Sequence, residues 1–220
     1  TKWYVSLFQN DEIMQALYTT LIIALLAAMI ATLVGTLASI GINNMRRRFR
    51  SVYMGVTNIP MLNSEIVMGV SLMLLFIIGR IELGFSTILM AHITFNIPYV
   101  ILSVTPKLKQ TNKSAYEAAL DLGCNPTQAF FKVVMPELMP AILSAFLICI
   151  TYSIDDFIIS YFTCGNLQTL PIAIYSMTRK KVSPEINALS TIIFLVILAI
   201  ILFTNHMDSR KYRRDQQQRG

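Results

Sequence analysis

The chain has 220 residues, 55% hydrophobic and only 14% charged, with 18 Lys and Arg against 12 Asp and Glu and a net charge of +6. A soluble domain carries about a quarter charged residues, so this composition points to a membrane protein. The positive residues cluster beside apolar runs, where they act as topology signals, and no aromatic–basic surface pattern supports nucleic acid as a partner.

In chain order, residues 1–11 carry Trp3, Tyr4 and Phe8 at the spacing of an interfacial amphipathic segment. Residues 17–42 follow without a charge, longer than the about 20 residues a span needs. Gly35 and Gly41 in this run allow a neighbouring helix to come close. Arg46, Arg47, Arg48 and Arg50 form a basic stop. The run 56–79 holds Pro60 and Glu65; Arg80 and Glu82 make a short turn. The run 83–106 contains His92, Asn96 and Pro98, and Pro98 is expected to kink or interrupt it. Residues 137–162 hold Asp155 and Asp156, 163–185 read as a polar connection with Pro171 and Pro184, and 186–207 form the last span. The polar, basic tail 208–220 is expected to be disordered. The fold class is therefore all-α, a polytopic transmembrane helical bundle with five visible spans in a single domain, 1–220.

Thirteen of the 18 Lys and Arg fall on one side when the tail, the Arg46 cluster and the 107–136 segment are placed together. That side is the cytoplasmic one by the positive-inside rule. The C-terminus is then cytoplasmic and the N-terminus external, which leads to the expectation of a sixth, N-terminal span upstream of this chain.

The segment 114–140, SAYEAALDLGCNPTQAFFKVVMPELMP, is only partly apolar. Residues 114–122 read as a short helix closed by Gly123, which takes a left-handed conformation readily. Asn125 can cap a second helix, with Pro126 at its first position and Gln128 at its third. Pro136 and Pro140 are expected to end that helix and start the next. Local physics makes this a structured insert between two spans, with no function implied.

The same residues resemble the EAA loop of ABC-importer permeases. Glu117-Ala118-Ala119 is followed by Gly123 and then by Val134-Met135-Pro136, with Met135 where the family usually has Leu. WYVSLFQND, HITFNIPYV, SIDDFIISYF and LPIAIYSMTRKKVSPEINALST are similar to segments of the second permease subunit of spermidine/putrescine importers. The resemblance implies the type I ABC-importer permease fold and a place in a bacterial inner membrane. It further implies a second, homologous permease, two ATP-binding cassette subunits holding ATP and Mg, and an extracytoplasmic substrate-binding protein. The chain itself would bind no cofactor and act as a transport subunit, not an enzyme, moving a polyamine by alternating access. The coupling loop would comprise Glu117, Ala118, Ala119, Asp121, Gly123 and Pro136, with Glu117 supplying polar docking contacts, Ala118 and Ala119 a close-packed surface, and Gly123 the turn. Importers of iron(III), thiamine or sulfate share this loop and remain alternatives for the cargo.

Asp155 and Asp156 stand out within a span. A charge near a bilayer centre costs about 2.5–3.5 kcal/mol on insertion scales, so such groups face a bundle interior or a wet path. On an unbroken helix Tyr152, Asp156 and Ser160 share one face, and Asp156 lies about 25–30 Å from the cytoplasmic start of the span. The pair could form a carboxylate site for an organic polycation, with Tyr152, Phe157 or Tyr161 adding cation–π contact; alternatively it is structural, capped by donors of neighbouring helices or by an Arg of a partner subunit. Two adjacent carboxylates should also oppose each other's ionisation. Glu65 could line the same path or cap a helix broken near Pro60 and Asn63-Ser64. Cys124, Cys149 and Cys164 form no CxxC, and His92 and His206 have no acidic or Cys neighbours at ligand spacing. No metal site is expected, and the histidines read as structural. There is no phosphate loop, Ser-His-Asp set or HExxH. Read from the acidic residues alone, the chain could also be a secondary transporter or a membrane scaffold.

Overall fold

The computed structural model describes residues 10–180 and, beyond them, 190–192, 194–199 and 202. The expected interfacial segment, Lys181, Pro184, His206 and the tail lie outside the described residues. The elements are α1 (Asp11–Asn44), α2 (Arg47–Leu62), α3 (Glu65–Ile78), α4 (Phe85–Gln110), α5 (Lys113–Asp121), α6 (Pro126–Ala129), a π-helical turn (Phe130–Val134), α7 (Met135–Asp155), α8 (Ile158–Thr163) and α9 (Leu170–Lys180). All are helical.

α1 begins where Asn10 accepts the Ile13 N–H at 3.4 Å, with Asp11 and Glu12 against the positive end of the helix dipole. Its buried face is built from small residues, among them Ala24, Ala27, Ala28, Ala31 and Gly35. Without a hydrophobic drive between helices in lipid, close backbone approach is what holds such helices together. α4 packs on this face, and α7 closes the third side. Ala28 of α1, Val100 and Val104 of α4, and Ala145 and Cys149 of α7 form the buried centre. Large apolar side chains such as Leu33 and Leu37 point outward, as on a helix that is apolar all round. Of the two glycines expected to admit a neighbour, Gly35 meets Val100, whereas Gly41 has nothing near it.

Among the described residues three helices are long and apolar enough to cross a membrane: α1, α4 and the unbroken rod Pro126–Asp155. α2 and α3 pass that test together but bend by 103°. Asn63 and Ser64 at the bend are extended, with ψ 150° and 139°. Both are residues whose side chains compete with helical hydrogen bonding, and Pro60 removes a donor just before them. The expected span 56–79 is thus an elbow, broken near Pro60 and Asn63-Ser64 as one reading of Glu65 allowed. α4, by contrast, runs through Pro98 and Pro106 without a break, so Pro98 does not interrupt it. The last expected span lies largely outside the described residues, which retain an apolar helix over Ser190–Ala199.

Three further differences concern the second half. The span 137–162 breaks at Asp156, whose ψ is 117°, and resumes as α8. The connection 163–185 contains a helix, α9, pinned by the Leu170 N–H donating to Thr20 Oγ1 at 2.8 Å. Pro136 and Pro140 do not end a helix. The π turn widens the backbone, with Met135 N–H bonded to Phe130 O. That makes room for the Pro136 ring, which in a regular helix would strike the carbonyl four residues back.

Candidate functional site

The insert between α4 and the rod is a helix, a glycine turn and a second helix. Asn112 caps α5 by accepting the Ser114 N–H at 3.0 Å. α5 ends in a glycine cap: Gly123 has φ +90°, its N–H bonds Leu120 O at 2.9 Å, and the Cys124 N–H bonds Ala119 O at 3.0 Å. Asn125 and Gln128 then form a reciprocal capping box, with Gln128 N–H to Asn125 Oδ1 at 2.9 Å and Asn125 N–H to Gln128 Oε1 at 3.3 Å. Glu117, Ala118, Asp121, Gly123 and Pro136 are exposed, Ala119 is half-buried, and α5 has no buried residue. Leu122 is 86% exposed and Phe131 59%. Those two were not singled out in the sequence, although apolar side chains in the one polar insert are a readable sign of a docking face.

An open cavity of about 510 Å³ is lined by residues of α2, α3, α4, α7 and α8, including Glu65, Phe95, Tyr99, Tyr152, Asp155, Asp156 and Phe157. The Tyr99 and Tyr152 rings lie 4.6 Å apart. A second cavity of about 390 Å³ is lined by Ile174, Tyr175, Leu170 and others, and shares Asp155 and Phe157 with the first. Phe157 stacks on Tyr175 at 4.9 Å and on Tyr161 at 5.7 Å. Tyr161 lines neither cavity and reaches them only through Phe157.

Glu65 is the first residue of α3. Its charge suits the helix dipole, but the cap position is Ser64 and no side-chain cap bond is made, so Glu65 does not cap the helix; it also lines the cavity. Asp155 is exposed and makes no hydrogen bond among the described residues. Asp156 is differently placed, and the shared face with Tyr152 and Ser160 on one unbroken helix does not exist. Its N–H closes α7 on Tyr152 O at 3.1 Å. Its carboxylate opens α8, accepting from Ile159 N–H at 3.3 Å and Ser160 N–H at 2.7 Å. His92 Nε2 lies 3.4 Å from Asp156 Oδ2, with side-chain exposures of 1% and 7%, and 3.1 Å from Ser160 Oγ. The reading of His92 as lacking an acidic neighbour held along the chain but fails in space. Asp156 stands much further along the sequence, and only the packing of α8 on α4 brings it there. The three cysteines are free.

Apolar helices that leave three carboxylates and several aromatic rings around an open cavity are the build of a membrane permease. The chain belongs to the family described as binding-protein-dependent transport system inner membrane component, whose model matches residues 31–210. It is 37% identical over 203 residues to the spermidine/putrescine transport system permease protein PotC of Escherichia coli K12, covering 92% of this chain and 77% of that one. It is likewise 37% identical over 201 residues to the putrescine transport system permease protein PotI of the same strain, covering 88% and 72%. Among solved structures, it superposes on the MetNI methionine ABC transporter in an inward-facing conformation with a TM-score of 0.72 at 15% identity, covering 89% of this chain and 94% of the other. A bacterial ABC importer of alginate gives 0.71 at 18% identity, covering 95% and 83%. The fold is that of ABC-importer permeases.

Proposed function

We propose that this chain is one permease subunit of an ATP-driven importer that carries polyamines of the spermidine/putrescine type into the cytoplasm. The observation that carries the reading is the acid–aromatic cavity. Glu65 and Asp155 offer charges to ammonium groups, and the faces of Tyr99, Tyr152 and Phe157 suit both the cationic ends and the methylene chain. A bound polyamine would neutralise carboxylates that are costly to keep in an apolar bundle. The 37% identity to permeases named for spermidine and putrescine supports the same cargo.

In this scheme a binding protein delivers the cargo at the external face, and a second, homologous permease completes the path. Two ATPase subunits, holding ATP and Mg, dock on the insert carrying Glu117, Ala118, Ala119, Asp121, Gly123 and Pro136. The insert and the C-terminus lie in the cytoplasm, in accord with the distribution of Lys and Arg. Closure of the ATPases rocks the permeases between inward and outward access.

Reconstitution into vesicles with the partner permease, the binding protein and enclosed Mg-ATP tests the proposal. ATP-dependent accumulation of labelled spermidine is expected. Accumulation that survives removal of the ATPase subunits would make the chain a secondary transporter. ATP-driven uptake of an anion or metal complex in place of spermidine would overturn the cargo.

A further inference from the structure

We infer that His92 is a positioning residue that clasps Asp156 at the α7–α8 break and so leaves Asp155 as the carboxylate that meets the cargo. Two adjacent aspartates would thereby have different tasks. The inference rests on the polyamine reading only for the identity of that cargo.

Both oxygens of Asp156 are engaged inside the protein. Ile159 N–H and Ser160 N–H donate to its carboxylate, and His92 Nε2 lies 3.4 Å from Oδ2. His92 Nδ1 is buried without a hydrogen-bond partner. A proton placed there would be a buried, unsatisfied donor, a costly arrangement. The proton therefore sits on Nε2, donating to Ser160 Oγ at 3.1 Å with Asp156 Oδ2 beside it at 3.4 Å.

The clasp is the middle rung of three that join α4 to the broken span. One turn along α4, Asn96 Nδ2 donates to Ser153 Oγ at 2.8 Å, before the break. In the other direction Thr87 Oγ1 donates to Thr163 O at 2.8 Å, after it. A helix break without such ties is a hinge; here α4 splints it on both sides. The splint sets where the residue just ahead of the break points. That residue is Asp155, which is exposed, carries no hydrogen bond among the described residues and lines both cavities. Phe157, just past the break, also lines both.

The test uses the assembled importer and five variants: Asp155→Asn, Asp156→Asn, His92→Ala, His92→Gln and the double His92→Ala/Asp156→Asn. Spermidine uptake is read as KM and Vmax. Asp155→Asn is expected to raise KM about tenfold, the loss of one charge-assisted contact. Asp156→Asn and His92→Ala are expected to act on Vmax, with KM within about twofold. The double variant should be no worse than the poorer single one, because the two residues act as one unit. His92→Gln, which keeps a donor, should recover part of Vmax. A melting cycle without substrate should show coupling between positions 92 and 156 and, with a further His92→Ala/Asp155→Asn variant, none between 92 and 155. KM rising as far in Asp156→Asn as in Asp155→Asn, or multiplying effects in the double variant, overturns the inference. Absence of spermidine uptake by the unmodified importer together with a 92–156 coupling sinks the cargo and keeps the clasp; uptake without that coupling sinks the clasp alone.

Discussion

Replacing Gly35 by alanine should destabilise the bundle, whereas the same change at Gly41 should not. A Cβ on Gly35 would lie 2.6 Å from Val100 Cβ, 2.8 Å from Val100 Cγ1 and 3.3 Å from Ile97 O. Carbon atoms rest at about 3.5–4.0 Å, so α1 and α4 would have to part by about 1 Å. Val100 cannot swing aside, because the nearest atom is its own Cβ and the residue is fully buried among Ala28, Val104, Ala145 and Cys149. Overpacking of this kind costs about 1–3 kcal/mol, and with no rotamer escape the upper half of that range applies. Alanine returns about 1 kcal/mol of helix propensity. The net loss at Gly35 is then about 1–2 kcal/mol, while Gly41, with nothing within 4 Å, shows only the gain of up to about 1 kcal/mol. Apparent melting midpoints of the solubilised importer separate the two variants by several degrees in opposite directions. Adding Val100→Ala to Gly35→Ala should not rescue it, since the clashing Cβ stays. Equal midpoints for the two single variants, or rescue by Val100→Ala, would refute the close-approach argument.

Four other outcomes are expected. Gly123→Ala places a Cβ at φ +90° at a cost of about 1–2 kcal/mol and should weaken substrate-stimulated ATP hydrolysis. Gly123→Pro demands φ near −65° and also deletes the donor to Leu120 O, so ATPase co-purification should be lost while membrane insertion persists. Asn125→Ala removes one half of the capping box at a cost of about 1 kcal/mol, which faster amide exchange in α6 would report. Thr20→Val, a near-isosteric change, leaves the buried Leu170 N–H without its acceptor; a loss of about 1–3 kcal/mol should appear as a lower melting midpoint and faster exchange at the start of α9.

How much could be read from the sequence depends on the range of the force involved. The glycine cap and the Asn125–Gln128 box are written in neighbouring residues, and their spacing is enough to draw both. The apolar runs place α1, α4 and the rod because hydrophobic length is likewise local. The breaks at Asn63-Ser64 and Asp156 are of another kind. An apolar run measures how much chain sits in lipid, not its direction, so 137–162 reads as one straight span, and 56–79 leaves a break near Pro60 and Asn63-Ser64 open without giving its angle. The pair could be read along the chain as capped by donors of neighbouring helices, but the particular partners of Asp156 could not be named, because its two backbone donors belong to a helix that starts only when Asp156 breaks the previous one, and His92 stands on α4. α9 was hidden for a similar reason, since it is anchored by Thr20 from the opposite end of the sequence.

The misread prolines bear most on mechanism. Had Pro136 and Pro140 ended a helix, the ATPase-facing insert and the cavity would have been joined by a flexible link. Instead the π turn absorbs Pro136, and Pro126–Asp155 is one rod of 30 residues, about 45 Å long at 1.5 Å per residue. One end carries the capping box beside Gly123, and the other ends at Asp155. A tilt of about 5° about the insert end moves the far end by about 4 Å on a rod of that length. This is enough to take a carboxylate out of hydrogen-bond reach of an ammonium group. The rod is packed on α4 along its middle through Ala145 and Cys149 against Val100 and Val104, and hydrogen-bonded to it near its far end through Asn96–Ser153. In the proposed import cycle, ATPase closure would therefore move Asp155 and α4 together, so the coupling insert and the cargo carboxylate are two ends of one rigid lever.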